Sequence, residues 1–433
     1  MDILTITVIC VVGSICLMLI GVHIAYALGF CTVLGVLLGS GGPALTKLGL
    51  TPFSVFYSLN WTPLPLFILM GFILAETEIG ADIFGAANKW LSRIPGALVS
   101  ATIWTEGAIG AVMGASGISI ITVGKVAIPQ LERLGYNKRF ALGALLSSGP
   151  IDPLIPPSIP FVVYAIMAQQ SINELFIAGV VPGILLVVML SAYAIIACLR
   201  NPSLAPQPTK TSWTDRMSSL RKVWPVVVIF VGMMGGIYMG VVTATEAAGL
   251  GVVLTLLISV VFYRFRFKNL VRAMSETATL TGMVGLMIIA ATIFSYLVGS
   301  SRLAQALADF ISSSGLSPWM VIIVINLILL ILGCFMDGLA ILLVAVPLFI
   351  PLIVALGFNP VWFGVLVVVN IEIGLITPPV GMNLFMVSNV FNVRFAELVR
   401  GVAPFLIVLA LFLGILIAFP DLSLWLPGMM KGG

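Results

Sequence analysis

Two short stretches, residues 147–158 (SSGPIDPLIPPS) and 374–383 (GLITPPVGMN), interrupt apolar segments with paired prolines. Proline has no backbone donor and obstructs the helical bond to the preceding turn, so each segment is expected to unwind into two half-helices. A break of this kind exposes carbonyl oxygens that suit a hard cation such as Na⁺. It also exposes half-helix N-termini, whose partial positive charge suits an anion. One such break reads as a packing kink, whereas two at corresponding places read as the halves of one site.

Ahead of each break lies an apolar stretch too divided by small residues to be one ordinary span. The first carries GAIGAVMGASGIS at 107–119 and the second GCFMDGLA at 333–340. Both read as re-entrant hairpins, with tips at 114–119 and 337–340 that meet the broken helices and close a pair of ion sites; Ser116 and Ser119 are candidate hydroxyl ligands. Five acids fall in apolar surroundings: Glu106, Asp152, Glu246, Asp337 and Glu372. A charge near the middle of a membrane helix costs about 2.5–3.5 kcal/mol on insertion scales, so each needs a reason. Asp152 and Asp337 lie in the expected ligand loops and read as helpers in cation binding. Glu106, Glu246 and Glu372 read as structural partners of backbone donors or bases.

The elements that hold these residues must sit in lipid. Of 433 residues, 61% are hydrophobic and 8% charged, against roughly 25% charged in a soluble domain. Apolar runs of about 20 residues, enough to cross the hydrocarbon, recur from 3 to 198 and from 223 to 419. The first run follows Asp2 instead of a basic segment and outlasts a signal-peptide core, so it is expected to be a retained helix. The 5 cysteines form no CxxC pair and read as small core residues. The sequence has a single histidine, His23, and no GxSxG, HExxH or P-loop pattern, so no enzyme and no in-chain ATPase is expected. The pI near 8.8 arises from basic residues at membrane edges, which reads as topology and not as a nucleic-acid footprint.

Two stretches break the apolar pattern most, 200–222 and 263–272, and the spans 223–241 and 247–261 between them read as one central hairpin. Together with 125–139 they hold 13 of the 20 Lys and Arg residues, which the positive-inside bias places in the cytoplasm. Following the topology through puts both termini outside, with only Lys47, Arg302 and Lys431 among the basic residues on that side. At a constant offset of 222 the halves match: Pro129 with Pro351, Leu134-Gly135 with Leu356-Gly357, Asn137 with Asn359, Pro156-Pro157 with Pro378-Pro379, Gly179 with Gly401, and Pro182 with Pro404. The loop at Asn137 is basic and that at Asn359 is not, so the copies read as inverted, a hallmark of secondary transporters. The chain then divides into a first repeat at 1–198 (hairpin about 96–125, broken helix about 139–168), a central section at 199–272, and a second repeat at 273–433 (hairpin about 315–350, broken helix about 361–391).

Along nearly its whole length the sequence resembles the large membrane subunit of the tripartite ATP-independent periplasmic (TRAP) transporters. The resemblance rests on PLFILMG at 65–71, LIPPSIPFVVYAI at 154–166, INELFIAGVVPG at 172–183, TATEAA at 243–248 and IGLITPPVGMNLF at 373–385. It implies an all-α polytopic membrane protein of elevator-type ion transporter architecture, with two inverted repeats, each holding a re-entrant hairpin and a discontinuous helix. It further implies about two Na⁺ sites and no organic cofactor, one site around Ser116, Gly149 and Pro156 and the other around Asp337, Gly374 and Thr377. The substrate is expected between the hairpin tips, against Ser119, Asp152, Ser158, Pro379, Gly381 and Asn383. The implied partners are a small four-helix membrane subunit, a periplasmic substrate-binding protein and the lipid bilayer of a bacterial inner membrane. The implied function is Na⁺-coupled uptake of a small organic anion: a carboxylate such as sialic acid or a dicarboxylate, or a sulfonate. A stand-alone Na⁺/dicarboxylate symporter and an anion channel are the alternatives. The sequence departs from the family at GPIDPL, where many members carry an uncharged glycine-containing stretch and this chain has Asp152.

Overall fold

The computed structural model describes residues 2–39, 42–113, 116–206, 211–313 and 315–431; of the first tip, Gly114 and Ala115 lie outside them. Among the described residues the chain is helical, with no strand. The N-terminal part comprises α1 (Ile3–Leu19), α2 (Ile24–Gly39), α3 (Gly42–Tyr57), α4 (Pro63–Ala75) and α5 (Ile79–Leu91). The first hairpin and the first break follow in α6 (Ala97–Met113), α7 (Ser116–Arg133), α8 (Lys138–Ser148), α9 (Ile159–Ala168) and α10 (Ile172–Arg200). The central hairpin is α11 (Trp213–Tyr238) and α12 (Ala244–Phe262), leading into α13 (Phe267–Ser300) and α14 (Leu303–Ser313). The second hairpin and the second break lie in α15 (Pro318–Gly333), α16 (Gly338–Ala355), α17 (Pro360–Leu375), α18 (Met382–Phe391) and α19 (Phe395–Ala418), followed by α20 (Asp421–Lys431).

The 222-residue offset carries directly into the elements: α7 and α16 begin at equivalent positions, as do α8 and α17. Their ends are built alike. Asn137 caps α8 by accepting from Phe140 N at 3.1 Å, and Asn359 caps α17 by accepting from Val361 N at 2.8 Å. Each cap satisfies a first-turn donor that has no intrahelical partner. Just before them, Gly135 and Gly357 turn the chain at φ 83° and 82°, a region that glycine enters without steric cost. The two expected breaks are present, between α8 and α9 and between α17 and α18, with Pro156–Pro157 and Pro378–Pro379 both cis.

Among the described residues six helices, α10, α11, α12, α13, α16 and α19, are long and apolar enough to cross a bilayer; a seventh span results if the pair Leu48–Tyr57 and Leu59–Ala75, bent by 64°, counts as one. Two expected interruptions are shorter than the composition suggests. The polar stretch at 200–222 already becomes helix at Trp213, because Ser212 caps it by accepting from Asp215 N at 3.1 Å. Arg216 on its first turns is buried, its Nε donating to Lys89 O at 3.2 Å. The basic stretch at 263–272 is likewise helical from Phe267 onward. Its Asn269 and Arg272 reach Glu76 at 2.8 and 3.4 Å, and Lys222 reaches Asp82 at 3.0 Å, which ties the basic segments to the α4–α5 corner. At the same corner the Tyr263 hydroxyl donates to Asp82. Burial first, then the Asp82 charge, push that phenol up to about 12, so the bond keeps its proton.

The helix breaks sit where the two repeats interlock. In the contact pattern α19 lies along α8, α15 along α17, and α16 against α9. The side chains of α17 from Val361 to Leu375 are buried without exception. Trp362 donates to Leu416 O at 2.9 Å, and Asn370 donates to Asn326 O at 2.7 Å, anchoring α17 to α19 and α15. Polar groups at this depth must find partners inside the protein, and these two do so through backbone carbonyls. Four of the cysteines are buried, as expected of core residues, while Cys16 is exposed.

Candidate functional site

A cavity of about 560 Å³ opens between both hairpins and the half-helices that resume after the two breaks. The first hairpin contributes Ser116, Gly117 and Ile118, and the second contributes Asp337, Gly338 and Leu339. The resumed half-helices contribute Ile159 and Pro160 from α9, and Met382, Asn383 and Phe385 from α18. The wall also includes Leu280 and Val284 of α13, and Ile371 and Glu372 of α17. A volume of this size suits a small metabolite, and the wall is apolar with a few polar groups, as ligand cavities are.

The twelve residues singled out in the sequence divide on this geometry. Ser116, Asp337 and Asn383 line the cavity. Asn383 Nδ2 donates to Ser116 Oγ at 3.5 Å, so the second break touches the first hairpin. Asp337 caps α16, its Oδ1 accepting from Leu339 N at 3.0 Å and from Ala340 N at 3.4 Å. Gly149 opens a short 3₁₀ turn under the first hairpin; a Cβ there would lie 3.7 Å from Ser116 Cβ and 2.8 Å from Ile120 Cδ1. Gly374 packs against Gly333, and each would bring a Cβ within 2.8 Å of the other's backbone. Thr377 Oγ1 donates to Ile373 O at 2.6 Å. Gly381 N donates to Cys334 O at 2.9 Å, fastening the second break to its own hairpin. Ser158 caps α9 by accepting from Phe161 N at 3.2 Å, Pro156 is buried, and Pro379 is exposed. None of Gly149, Pro156, Ser158, Gly374, Thr377, Pro379 and Gly381 is part of the cavity wall.

Ser119 and Asp152 form a separate buried arrangement. Ser119 donates to Asp152 Oδ2, and both side chains are fully buried behind the hairpin tip. Asp152 fits there because Gly110 has no side chain: a Cβ on Gly110 would overlap the carboxylate and lie 2.6 Å from Asp152 Cβ. Glu106, one turn earlier on α6, interacts electrostatically with Asp152, and so does Glu372. The Glu106 carboxyl faces the Asp152 carboxyl and the Ser119 hydroxyl, so the two acids and the serine form one buried cluster.

This corrects the reading of Glu106 and Glu372 as acids matched with backbone donors or bases: their partners are side-chain hydroxyls and a second acid. Glu106 faces Ser119 and Asp152, and Glu372 stands at the cavity wall beside Ser116. Glu246 does satisfy a backbone donor: its Oε2 accepts from Thr243 N at 2.8 Å in a capping box at an exposed helix start. Its place at the surface of the fold removes the cost that made it conspicuous. The sequence also gave no reason to assign α13 to the cavity. Leu280 and Val284 look like ordinary apolar helix positions, and their role arises only from how α13 packs.

Residues 11–422 match the family described as "Tripartite ATP-independent periplasmic transporter, DctM component". The chain is 35% identical over 406 residues to the C4-dicarboxylate TRAP transporter large permease protein DctM of Pseudomonas aeruginosa, covering 93% of this chain and 94% of that protein. It is 33% identical over 373 residues to the sialic acid TRAP transporter large permease protein SiaM of Vibrio cholerae, covering 85% and 86%. In three dimensions it resembles the YdaH transporter of Alcanivorax borkumensis, with a TM-score of 0.61, 15% identity and coverage of 88% of this chain and 89% of that one. That likeness concerns the fold.

Proposed function

This chain belongs to the DctM-component family of the tripartite ATP-independent periplasmic transporters, and on that premise we propose that it takes up a small organic acid by coupling to Na⁺. As a large permease subunit it is a multi-pass protein of the inner membrane. The observation that carries the proposal is the cavity bounded by both hairpin tips and by the half-helices that resume after both breaks. Two relatives named for C4-dicarboxylate and for sialic acid support an organic acid as cargo.

The physical account runs from the breaks outward. The unwound segments supply carbonyl oxygens for Na⁺, with Ser116, Gly149 and Pro156 beside the first and Asp337, Gly374 and Thr377 beside the second. Na⁺ bound between a hairpin and its break joins two elements that are separate in sequence. The cavity wall then holds together only when the ions are in place, and that is how ion binding and substrate binding become coupled. Movement of the hairpins and breaks as one body, relative to the scaffold around α1 to α5 and α11 to α13, would carry the cargo across. Delivery by a soluble periplasmic protein and support by a small four-helix membrane subunit complete the proposed assembly. Both termini lie on the periplasmic side in this reading, so a cysteine at Asn359 should be labelled from the periplasm; labelling only from the cytoplasm would reverse the topology.

The test is uptake into proteoliposomes holding this chain and its small partner, with loaded binding protein outside. Uptake is expected with an inward Na⁺ gradient and absent with K⁺ at equal ionic strength. Uptake indifferent to Na⁺ would remove the coupling, uptake without a binding protein would favour a stand-alone symporter, and conductance without counterflow would favour a channel.

A further inference from the structure

One end of the central hairpin holds more positive charge than the protein balances. The helices α11 and α12 pack as a hairpin and α13 follows α12, so the start of α11 and the turn between α12 and α13 meet at one membrane edge. Two contacts fix the meeting point. Asp82 accepts from Lys222 Nζ of α11 at 3.0 Å and from the Tyr263 hydroxyl, just after α12, at 3.2 Å. Trp224 of α11 packs edge-on against Phe262 of α12, with ring centroids 5.0 Å apart.

The acids of this corner are mostly committed. Glu76 holds Asn269 and Arg272, Asp82 holds Lys222 and Tyr263, and Glu276 holds Arg272. Glu78 lies in electrostatic reach of Tyr263. Arg221, Arg264, Arg266 and Lys268 are exposed, and none of them forms an ion pair among the described residues. The last three fall within five residues of sequence and repel one another. Around them α13 begins with no acid in its first turn, although a helix start favours acids and disfavours bases. The positive-inside bias asks that bases stand on this side of the membrane. It does not ask that they crowd at one point while their neighbours are matched with acids.

Apolar surface lies beside this charge. Phe262 is 59% exposed, Phe267 79% and Trp224 37%. Phe262 ends one span and Phe267 begins the next, so rings and bases share the depth at which lipid headgroups meet acyl chains. A soluble anion would balance the charge and leave the rings uncovered, whereas a lipid does both.

From this juxtaposition we infer that the turn between α12 and α13, together with Arg221, is a binding site for an anionic phospholipid. Its phosphodiester is received by Arg221, Arg264, Arg266 and Lys268, and its acyl chains lie against Trp224, Phe262 and Phe267. A headgroup held there relieves the repulsion and clamps α11, α12 and α13 at the end where they are fastened to the α4–α5 corner. The inference is independent of the carrier reading, because it concerns the frame around the cavity and not its contents.

The experiment titrates phosphatidylglycerol and phosphatidylcholine of the same acyl chains into the purified chain in a neutral detergent and follows the melting temperature. Glycerol 3-phosphate serves as the soluble probe of the same charge chemistry. The expected result is saturable stabilisation by phosphatidylglycerol beyond either of the others. Replacing Arg264→Gln, Arg266→Gln and Lys268→Gln together should raise the concentration required about tenfold or more, with the melting temperature in phosphatidylcholine close to that of wild type. The control Lys125→Gln, Arg133→Gln and Arg200→Gln removes equal charge from exposed bases elsewhere and should keep the wild-type response. If the first triple variant is poorly folded, Arg221→Gln alone decides: native mass spectrometry should find less phosphatidylglycerol retained than by wild type, and equal retention would overturn the site. An equal loss in the control variant would also overturn it, leaving only diffuse attraction. So would glycerol 3-phosphate acting as well as the lipid, which would mean a soluble anion. No preference for phosphatidylglycerol over phosphatidylcholine would sink the idea outright, and a preference that vanishes once the small membrane subunit is bound would assign the surface to a protein contact instead.

Discussion

The two broken helices solve one packing problem in opposite ways. In the second repeat Gly374 lies against Gly333, backbone to backbone, with no side chain between the break and its hairpin. At the position equivalent to Gly374 the first repeat has Asp152, and the glycine that makes room for it is Gly110 on α6. Close backbone contact leaves little for a substitution to rearrange. A buried carboxylate held by a serine is a different joint, one that carries a charge and depends on a specific donor. The two copies thus share their breaks and caps, while the first alone has an acidic group at this position, close to Glu106 and in electrostatic reach of the cavity acid Glu372.

This contrast orders the effects of substitution. The largest is expected at the glycine contact: Gly374→Leu must displace the Gly333 backbone, which has no flexible end to yield, and should cost about 3 kcal/mol, at the upper end for overpacking. A melting temperature in detergent within a degree or two of wild type would show that the second joint is looser than its backbone distances. Next comes Gly110→Ala, which sets a methyl group against the Asp152 carboxylate and should cost ~1–3 kcal/mol. Here the added substitution Asp152→Gly should restore much of the loss, since it remakes the first joint on the pattern of the second. A double-mutant cycle in thermal stability with coupling below about 0.5 kcal/mol would mean that the two residues do not share the space.

A smaller effect, ~1–3 kcal/mol, is expected for Ser119→Ala, which leaves a buried carboxylate oxygen without its donor. The counterpart of Ser119 is Ile341, so nothing comparable is at stake in the second repeat. Combining Ser119→Ala with Asp152→Gly should cost less than Ser119→Ala alone, and a simple sum of the two separate losses would argue that the bond contributes nothing. The smallest pair is Asn137→Ala and Asn359→Ala, about 1 kcal/mol each for a lost cap. Matched losses in denaturant titrations would confirm that the ends of the repeats are built alike; a clear inequality would mean that one cap is supported by something the other lacks.

How much of this was legible beforehand follows from the range of the interactions. The prolyl breaks, the capping asparagines and the glycine turns are written within a few residues of where they act, so their matching positions could be read from sequence. Polar starts of helices are less legible: 200–222 breaks the apolar pattern, yet the Ser212 cap and a buried Arg216 carry α11 through its second half.

The sequence by itself determined that the chain is an apolar, duplicated, polytopic helical protein with two interrupted helices, because hydropathy and proline act locally and a repeat register needs no coordinates. Tertiary structure alone decided what the acids do. Glu106 and Asp152 are 46 positions apart in sequence, and their proximity depends on how α6 packs on the first break. Glu372 lies on a helix buried along its whole length, where periodicity offers no preferred face, so its place at the cavity wall is set by the void left between both hairpins and α13. A carboxylate's cost or use inside a membrane protein is fixed by the groups within a few ångströms of it, and those groups come from distant parts of the chain.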